Sequence, residues 1–429
     1  MLPDAPDLTP EQEAVFDAIE LSMEHVFVTG RAGTGKSTLL QHLAARTSKR
    51  LAICAPTGVA ALNVGGQTIH SLLRLPIGVI ADQPLPHPEE LRNLLRAIET
   101  LVIDEVSMVN ADLMDAIDRT LRESRNRRHE PFGGVQLVLF GDPYQLAPVP
   151  PSDPHERAYF ADRYRSPWFF DAHVWEEAPL AIRTLEEIHR QRDPEFTRIL
   201  NAVRFDEVTQ EMADVLNEVG ARPVPDGEEA ITLATTNATV AAINARGLRA
   251  LPGEAQTSVA EIEGEFGRGA FPADESLELK LGARVMFLRN DTSGDARWVN
   301  GTTGHVVGIG SEIEVEVDGT VHEVAPVTWE RFRYEYDGIT KQLRKDVVAE
   351  FTQFPLRLAW AVTIHKSQGQ TYDRARIDLG SGAFAPGQTY VALSRLRTLE
   401  GLHLSRPLRR RDVIADRHVR RFMGRDPVA

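Results

Sequence analysis

Thiols, lysines and long apolar runs are all scarce in this chain. Its 429 residues hold one cysteine, Cys54, inside the apolar run LAICA. That excludes an internal disulfide framework and any zinc site built on several thiolates, and leaves a buried structural thiol as the expectation. No apolar run approaches the roughly 20 residues that cross a bilayer, and the opening MLPDAPDLTPEQE lacks the basic and apolar regions of a secretion signal. A cytoplasmic protein without a membrane partner is expected. Only six lysines occur, at 36, 49, 280, 341, 345 and 366, against 42 arginines, a ratio that GC-rich coding explains. The formal charge of −14 speaks against indiscriminate adhesion to nucleic acid. Binding, however, depends on where the cations sit rather than on their sum, and two of the six lysines fall in the motifs below.

A chain of this length is too long for one core, so two or three domains are expected. There is no internal repeat and no low-complexity segment. HVFVTG (25–30), LAICAP (51–56), TLVIDE (100–105) and VQLVLFGD (135–142) are short apolar runs separated by helical patterns, as in a buried parallel sheet. AITLATT (230–236), RARIDL and GLHLS form a second such set. Between its pieces, LGARVMFLRND, WVNGTTGHVVGIG and EIEVEVDG alternate in short strands broken by Asn-Gly and Asp-Gly turns, the pattern of a small antiparallel barrel. The expected architecture is α/β: a first lobe over 1–180, a second lobe in two parts over 181–276 and 351–429, and a β insertion over 277–350.

GRAGTGKST follows HVFVTG and fits G-x-x-x-x-G-K-[ST] from Gly30 to Ser37, with a helical LLQHLAART behind it. Glycines let backbone N–H groups curl around phosphate oxygens, Lys36 reaches the outer phosphates, and Ser37 suits Mg²⁺. Gly33, Thr34, Gly35 and Thr38 complete the candidate loop. In TLVIDEVSM, Asp104 and Glu105 end a buried strand, where open α/β sheets place their ligands. One carboxylate suits Mg²⁺ and the other the base for an attacking water. Gln145, at the strand end of VQLVLFGDPYQLAPV, is either a phosphate sensor or a turn glutamine. Arg190 in LEEIHRQRD and Arg395 in YVALSRLR are either surface residues or charges reaching the nucleotide from the second lobe.

Taken in order, LTPEQEAVFDAI, GRAGTGKST, APTGVAALNVGGQTIHSL, VIDEVSM, GDPYQLAPV, LEEIHRQRD, WVNGTTGHVVGI, LRLAWAVTIHKSQGQT and YVALSR resemble the motif series of the PIF-type DNA helicases, a RecD-related branch of helicase superfamily one. The resemblance spans Thr9 to about Leu404. It implies two RecA-like P-loop lobes with an SH3-like insertion, ATP and Mg²⁺ as cofactors, and 5′-to-3′ movement on single-stranded DNA with opening of duplex, forked or G-quadruplex substrates. It makes Gln12 the adenine reader, Gln145 the phosphate sensor, Arg190 and Arg395 the arginines from the second lobe, and Gly369 and Gln370 that lobe's nucleotide contact. Single-stranded DNA and junctions are the implied partners of a monomer. A chain beginning almost at Gln12 and ending soon after the last motif suits a bacterial, nucleoid-associated enzyme. Two rivals are a RecD-like subunit of a recombination or conjugation complex and a P-loop ATPase that binds protein.

On the DNA side, Pro56, Thr57, Gly58, Asn63, Thr68 and His70 follow a strand end, where hydroxyls and free N–H groups can hold phosphates without reading sequence. His70 taken alone reads as a packed or capping histidine; the resemblance assigns it to DNA, and makes 64–76 a strand-separating insertion. Thr363, His365, Lys366 and Ser367 are the matching cluster of the second lobe, behind the apolar LRLAWAV that should bury Trp360. Tyr334 and Tyr336 in TWERFRYEYD are cross-strand partners or base-stacking groups. The eight arginines of HLSRPLRRRDVIADRHVRRFMGR are a solvated face or a DNA contact.

Overall fold

The computed structural model describes residues 6–76, 78–80, 83–148, 153–187, 193–264, 266, 271–291, 293, 297–337 and 342–424. Its largest sheet has six strands in the order Gln67–Thr68, Leu51–Ala55, Thr100–Ile103, Gln136–Phe140, His25–Gly30 and Leu180–Leu185, all parallel. The sixth strand lies beyond residue 180, so the first lobe extends further than the sequence boundary. It is an edge strand whose apolar run Leu180, Ala181 and Ile182 is only half-buried and is broken by the exposed Arg183 and Thr184, which hid it. The central strands are buried throughout, and their apolar runs needed both faces covered. Val28, Leu39, Leu40 and Leu43 seat the helix Lys36–Arg46 on one face, each burial contributing about 1.5–3 kcal/mol.

A second parallel sheet takes Ala361–Thr363, Ile231–Ala234, Ala375–Asp378 and Leu402–Leu404 in that order. Trp360 packs its indole against Gly247, where a Cβ would lie 2.4 Å from the ring, so the neighbouring helix approaches as closely as glycine allows. The β insertion is wider than the sequence suggested. Its five-stranded antiparallel sheet recruits Leu356–Leu358 beside Arg284–Phe287, and a three-stranded sheet pairs Glu261–Gly264 with the long hairpin Val327–Asp337 and Gln342–Gln353.

That hairpin leaves its own sheet and lies on the first lobe. Tyr334 is buried in the first lobe's core, its hydroxyl accepting from the Ile53 amide at 3.3 Å. Arg331 donates to Ser71 Oγ at 3.1 Å, and Gln67 Nε2 donates to the Phe332 carbonyl. Tyr334 does face Lys345 in register, but its ring serves the lobe contact rather than a base stack. The Tyr336 side chain lies outside the described residues.

The chain also returns at its far end. Helix Arg417–Phe422 brings Phe422 onto Phe170 as a stacked pair at 4.1 Å and 5°, and Trp168 Nε1 donates to Asp416 at 2.8 Å. The arginine-rich stretch is therefore partly structural: Arg406 pairs with Asp412, Arg410 with Asp206, and Arg420 donates to the Phe205 carbonyl. Arg409, Arg411, Arg417 and Arg421 are exposed.

Candidate nucleotide and nucleic-acid site

The phosphate loop runs from the end of His25–Gly30 to the start of Lys36–Arg46. Gly33 and Gly35 have φ of +85° and +78°, a region that side chains resist. A Cβ on Gly30 would lie 2.6 Å from both the Leu185 carbonyl and Thr34 Oγ1. Lys36 Nζ donates to the carbonyls of Gly30 and Arg31 at 2.8 and 2.9 Å, so its ammonium is held over the loop. Ser37 is exposed beside it, while Thr34 is buried and Thr38 half-buried. Gln12 is buried; Nε2 donates to the Gly35 carbonyl at 3.2 Å and Oε1 accepts from the Thr9 amide at 3.0 Å. The glutamine thus ties the first helix to the loop.

Asp104 and Glu105 follow the central strand Thr100–Ile103. Burial pushes both carboxyls above the usual range; Glu105 adds to this at Asp104, and Lys36 opposes it at both. Arg395 also opposes the rise at Glu105, whereas Asp142 adds to it. Glu105 is left-handed at φ +49° and ψ +42°, a strained conformation for a side-chain-bearing residue, just past the strand end.

Arg395 comes from the second lobe and is 1% exposed. Its guanidinium donates to the carbonyls of Val391, Gln370 and Ser367 at 3.0, 3.3 and 3.4 Å and to Ser394 Oγ at 2.8 Å. Gln145 is also buried, and its Oε1 accepts from Gln368 Nε2 of the second lobe at 3.3 Å. Lys36, Glu105, Gln145 and Arg395 are thereby gathered at the cleft between the lobes. Arg190 lies outside the described residues. Gly369 has φ +77°. Gln370 points elsewhere than expected: its side chain meets Asn300 of the β insertion at 3.1 Å, while its carbonyl faces Arg395.

Serine and carboxylate oxygens at the loop are hard donors, and Mg²⁺ is usually held by one or two protein oxygens together with phosphates and waters. The exposed Ser37 hydroxyl and the Asp104 carboxylate fit that demand. Among the described residues no group of three or more His, Cys, Asp or Glu is placed to hold a metal by itself.

On the nucleic-acid side, Thr57 caps the helix Gly58–Asn63 by accepting from Ala60, and Thr68 caps Ile69–Leu73 by accepting from Ser71. Pro56, Thr57, Gly58, Thr68 and His70 are half-exposed and Asn63 exposed. Residues 64–76 join the first lobe's core through Ile69, Leu72, Leu73 and Leu75. In the second lobe His365 and Lys366 are exposed over much of their surface, yet the atoms packed against their titrating ends desolvate them and lower both pKa values, with Arg357 adding to the fall at Lys366. Thr363 and Ser367 depart from the expected direct contact. Both are buried; Thr363 Oγ1 accepts from the Lys366 amide at 3.2 Å, and Ser367 Oγ donates to the Ile364 carbonyl at 2.8 Å. The apolar strand before them draws these small hydroxyls inward to close the turn, leaving the longer side chains outside.

Sequence reasoning missed Asp142, Arg204 and Tyr390. Arg204 sits on the buried face of helix Pro194–Phe205, an arginine among core positions, which was the available signal. It pairs with Asp142 at 2.7 Å, and its guanidinium lies 4.4 Å from the Tyr144 ring centroid. The Tyr390 hydroxyl lies 3.4 Å from Asp142 Oδ2 and accepts from the Ala32 amide of the phosphate loop at 3.4 Å.

A phosphate loop and acidic pair closed over by a buried arginine from a second parallel-sheet lobe define the two-lobed P-loop class. Within it, residues 7–225 match the model of the PIF1-like helicase family. A Pif1 helicase of Bdellovibrio bacteriovorus is 35% identical over 413 residues, covering 93% of this chain and 88% of the relative. The rat PIF1 helicase is 36% identical, but this chain spans 61% of its length. Bacteroides Pif1 in complex with ADP-AlF4 superposes with a TM-score of 0.90 at 38% identity, covering 98% and 97% of the two chains. The same helicase bound to ssDNA gives 0.70 at 39% identity. The chain belongs to the PIF1-like helicase family. Among the described residues no helix is long and apolar enough to cross a membrane.

Proposed function

We propose that this chain is an ATP-dependent DNA helicase that translocates 5′ to 3′ on single-stranded DNA and opens duplex at junctions. The observation that carries it is the position of Ser367. Its carbonyl accepts from Arg395, the second lobe's charge on the nucleotide side, while its neighbours His365 and Lys366 are exposed as phosphate-binding groups. Grip on a strand and the placement of Arg395 thus share one turn.

Lys36 and the loop amides hold the outer phosphates; Ser37 and Asp104 would hold Mg²⁺, which would supply positive charge there. Glu105 takes the proton of the attacking water. Gln145 carries the presence of the terminal phosphate to Gln368, and Arg395 neutralises charge on the transferring group. Arg190 is proposed as a second such arginine, and Gln12 as a guide for the adenine. Pro56, Thr57, Gly58, Asn63, Thr68 and His70 form the first lobe's half of the strand path. A single chain brings both lobes to one nucleotide, which supports a working monomer; among solved relatives, two coordinating Pif1 helicases unwind forked dsDNA.

Steady-state ATP hydrolysis with and without an oligonucleotide, followed by unwinding of 5′-tailed and 3′-tailed duplexes, tests the proposal. Stimulation by single-stranded DNA and unwinding of the 5′-tailed substrate are expected. A rate indifferent to DNA, or unwinding of 3′ tails alone, would refute it.

A further inference from the structure

Three parts of the molecule meet at the segment 363–372. On the nucleotide side, Arg395 Nη1 donates to the carbonyls of Ser367 and Gln370, and the Tyr372 amide donates back to the Arg395 carbonyl at 2.8 Å. Toward the first lobe, Gln368 reaches Gln145 at 3.3 Å. The third side faces the β insertion. There Gln370 Nε2 donates to Asn300 Oδ1 at 3.1 Å, and Gln370 Oε1 accepts from the Tyr372 hydroxyl at 2.8 Å.

Both ends of the Gln370 amide are therefore engaged, one by the insertion and one by Tyr372, while the backbone of the same residue helps cage the arginine. The insertion's side of this contact is stiff. The Asn300 amide donates to Asn290 Oδ1 at 2.8 Å, and Trp298 stacks on Phe287 at 4.4 Å and 22° with the Arg297 guanidinium 4.4 Å from its ring centroid. Gly301 turns the chain at φ +96°, and a Cβ there would lie 3.0 Å from Gln370 Oε1. The Asn-Gly pair thus makes a turn and also a seat for a second-lobe side chain. Arg395 is nearly inaccessible, and Val391, Ser367, Gln370 and Ser394, which accept from its guanidinium, all belong to its own lobe. Any change in its reach toward the cleft must alter that cage, of which Gln370 is one wall.

We propose that Asn300 is a positioning residue for ATP hydrolysis: acting through Gln370, the β insertion sets the placement of Arg395. The assignment rests on the DNA-stimulated ATPase proposed above. One hydrogen bond between neutral groups is at stake, so the effect is modulation rather than loss.

The test compares wild type, Asn300→Ala and Asn300→Asp in ATP hydrolysis with and without saturating oligothymidine, alongside thermal unfolding. Aspartate keeps an acceptor for Gln370 Nε2; alanine does not. Asn300→Ala is expected to lower the DNA-stimulated kcat roughly three- to tenfold. The KM for ATP and the melting temperature should stay near wild type, and Asn300→Asp should recover most of the lost rate. Three outcomes overturn the assignment: an alanine variant with full stimulated turnover, equal losses in alanine and aspartate variants, or a loss of rate that tracks a fall in melting temperature. A wild-type chain whose hydrolysis ignores oligothymidine overturns the underlying function, and the assignment falls with it.

Discussion

Arg204 of the second lobe and Asp142 of the first form an ion pair at 2.7 Å with side-chain exposures of 6% and 0%. Its partners make it a joint between the lobes: Asp142 also accepts from the Tyr144 amide at 3.1 Å and meets the Tyr390 hydroxyl, which touches the phosphate loop. Removing one charge of a buried pair leaves the other unpaired and costs about 3–5 kcal/mol. Arg204→Met should therefore lower stability to denaturant by that order and abolish turnover. The double variant Asp142→Asn with Arg204→Met should regain part of the stability, because no lone charge remains buried. A double variant less stable than Arg204→Met would show that the pair does not account for the loss.

Gly387 lies so close to the first lobe that a Cβ would fall 2.0 Å from the Gln145 carbonyl oxygen, at a φ of +78°. Alanine there must push Gln145 and the helix Gln388–Leu393 apart. Gly387→Ala should cost about 1–3 kcal/mol of stability. It should also reduce kcat by more than tenfold while nucleotide binding, followed with a fluorescent analogue, stays near wild type. Unimpaired hydrolysis would mean that the lobes tolerate a wider spacing during turnover.

Arg395→Ala should retain nucleotide binding and lose about 10³-fold in turnover. Lysine should not restore it, because the guanidinium spreads several donors over Val391, Ser367, Gln370 and Ser394. Lys36→Ala should lose hydrolysis with an unchanged melting profile. Normal turnover in either alanine variant removes that residue from the mechanism.

The two polar groups of the 363–367 turn should separate on mutation. His365→Ala removes an exposed ring and should weaken DNA-stimulated hydrolysis and oligonucleotide binding, leaving DNA-free hydrolysis and stability unchanged. Ser367→Ala removes a buried hydroxyl bonded to Ile364 and should cost about 1 kcal/mol of stability. Anisotropy titrations and melting curves for both variants decide this; identical profiles would contradict it.

Glu229 anchors the β insertion to the second lobe, meeting His305 at 3.1 Å and Arg284 at 3.0 Å. The bond to Glu229 raises the His305 pKa, and the bond to His305 lowers that of Glu229. A raised histidine stabilises fully below its ordinary value and loses this as pH climbs through the folded one; a lowered glutamate stabilises above its ordinary value and loses this on acidification. The stability difference between wild type and His305→Gln should therefore peak between roughly pH 4.5 and 6.5 and fade toward alkaline pH. A difference that grows above neutrality has the wrong sign for this contact.

Much of the nucleotide site was legible because its chemistry is local. Gly30 to Ser37 lie on one loop, and the strand before them and the helix after them could be read from their apolar periods. Residues whose role depends on distant contact were not legible. Arg204 reads as one polar position in ILNAVRF until Asp142, 62 positions away, is brought beside it. Tyr334 alternates correctly for a strand, and nothing in that period says that its ring leaves the hairpin for the first lobe's core. Ser367 failed for the opposite reason: a hydroxyl between lysine and glutamine reads as exposed, yet the turn's own backbone needed it. The edge strand Leu180–Leu185 escaped because the exposed Arg183 and Thr184 cut its apolar run short after three residues.

The stacking of Phe422 on Phe170 has a consequence for biogenesis. The aromatic cluster of Phe27, Phe169 and Phe170 is built almost entirely from early residues, yet its last ring is made some 250 positions after Phe170. A nascent chain emerging in order holds an open apolar notch on its first lobe throughout synthesis of the second. A chain that ends after the first lobe but before residue 422 would leave Phe170 without the ring that covers it.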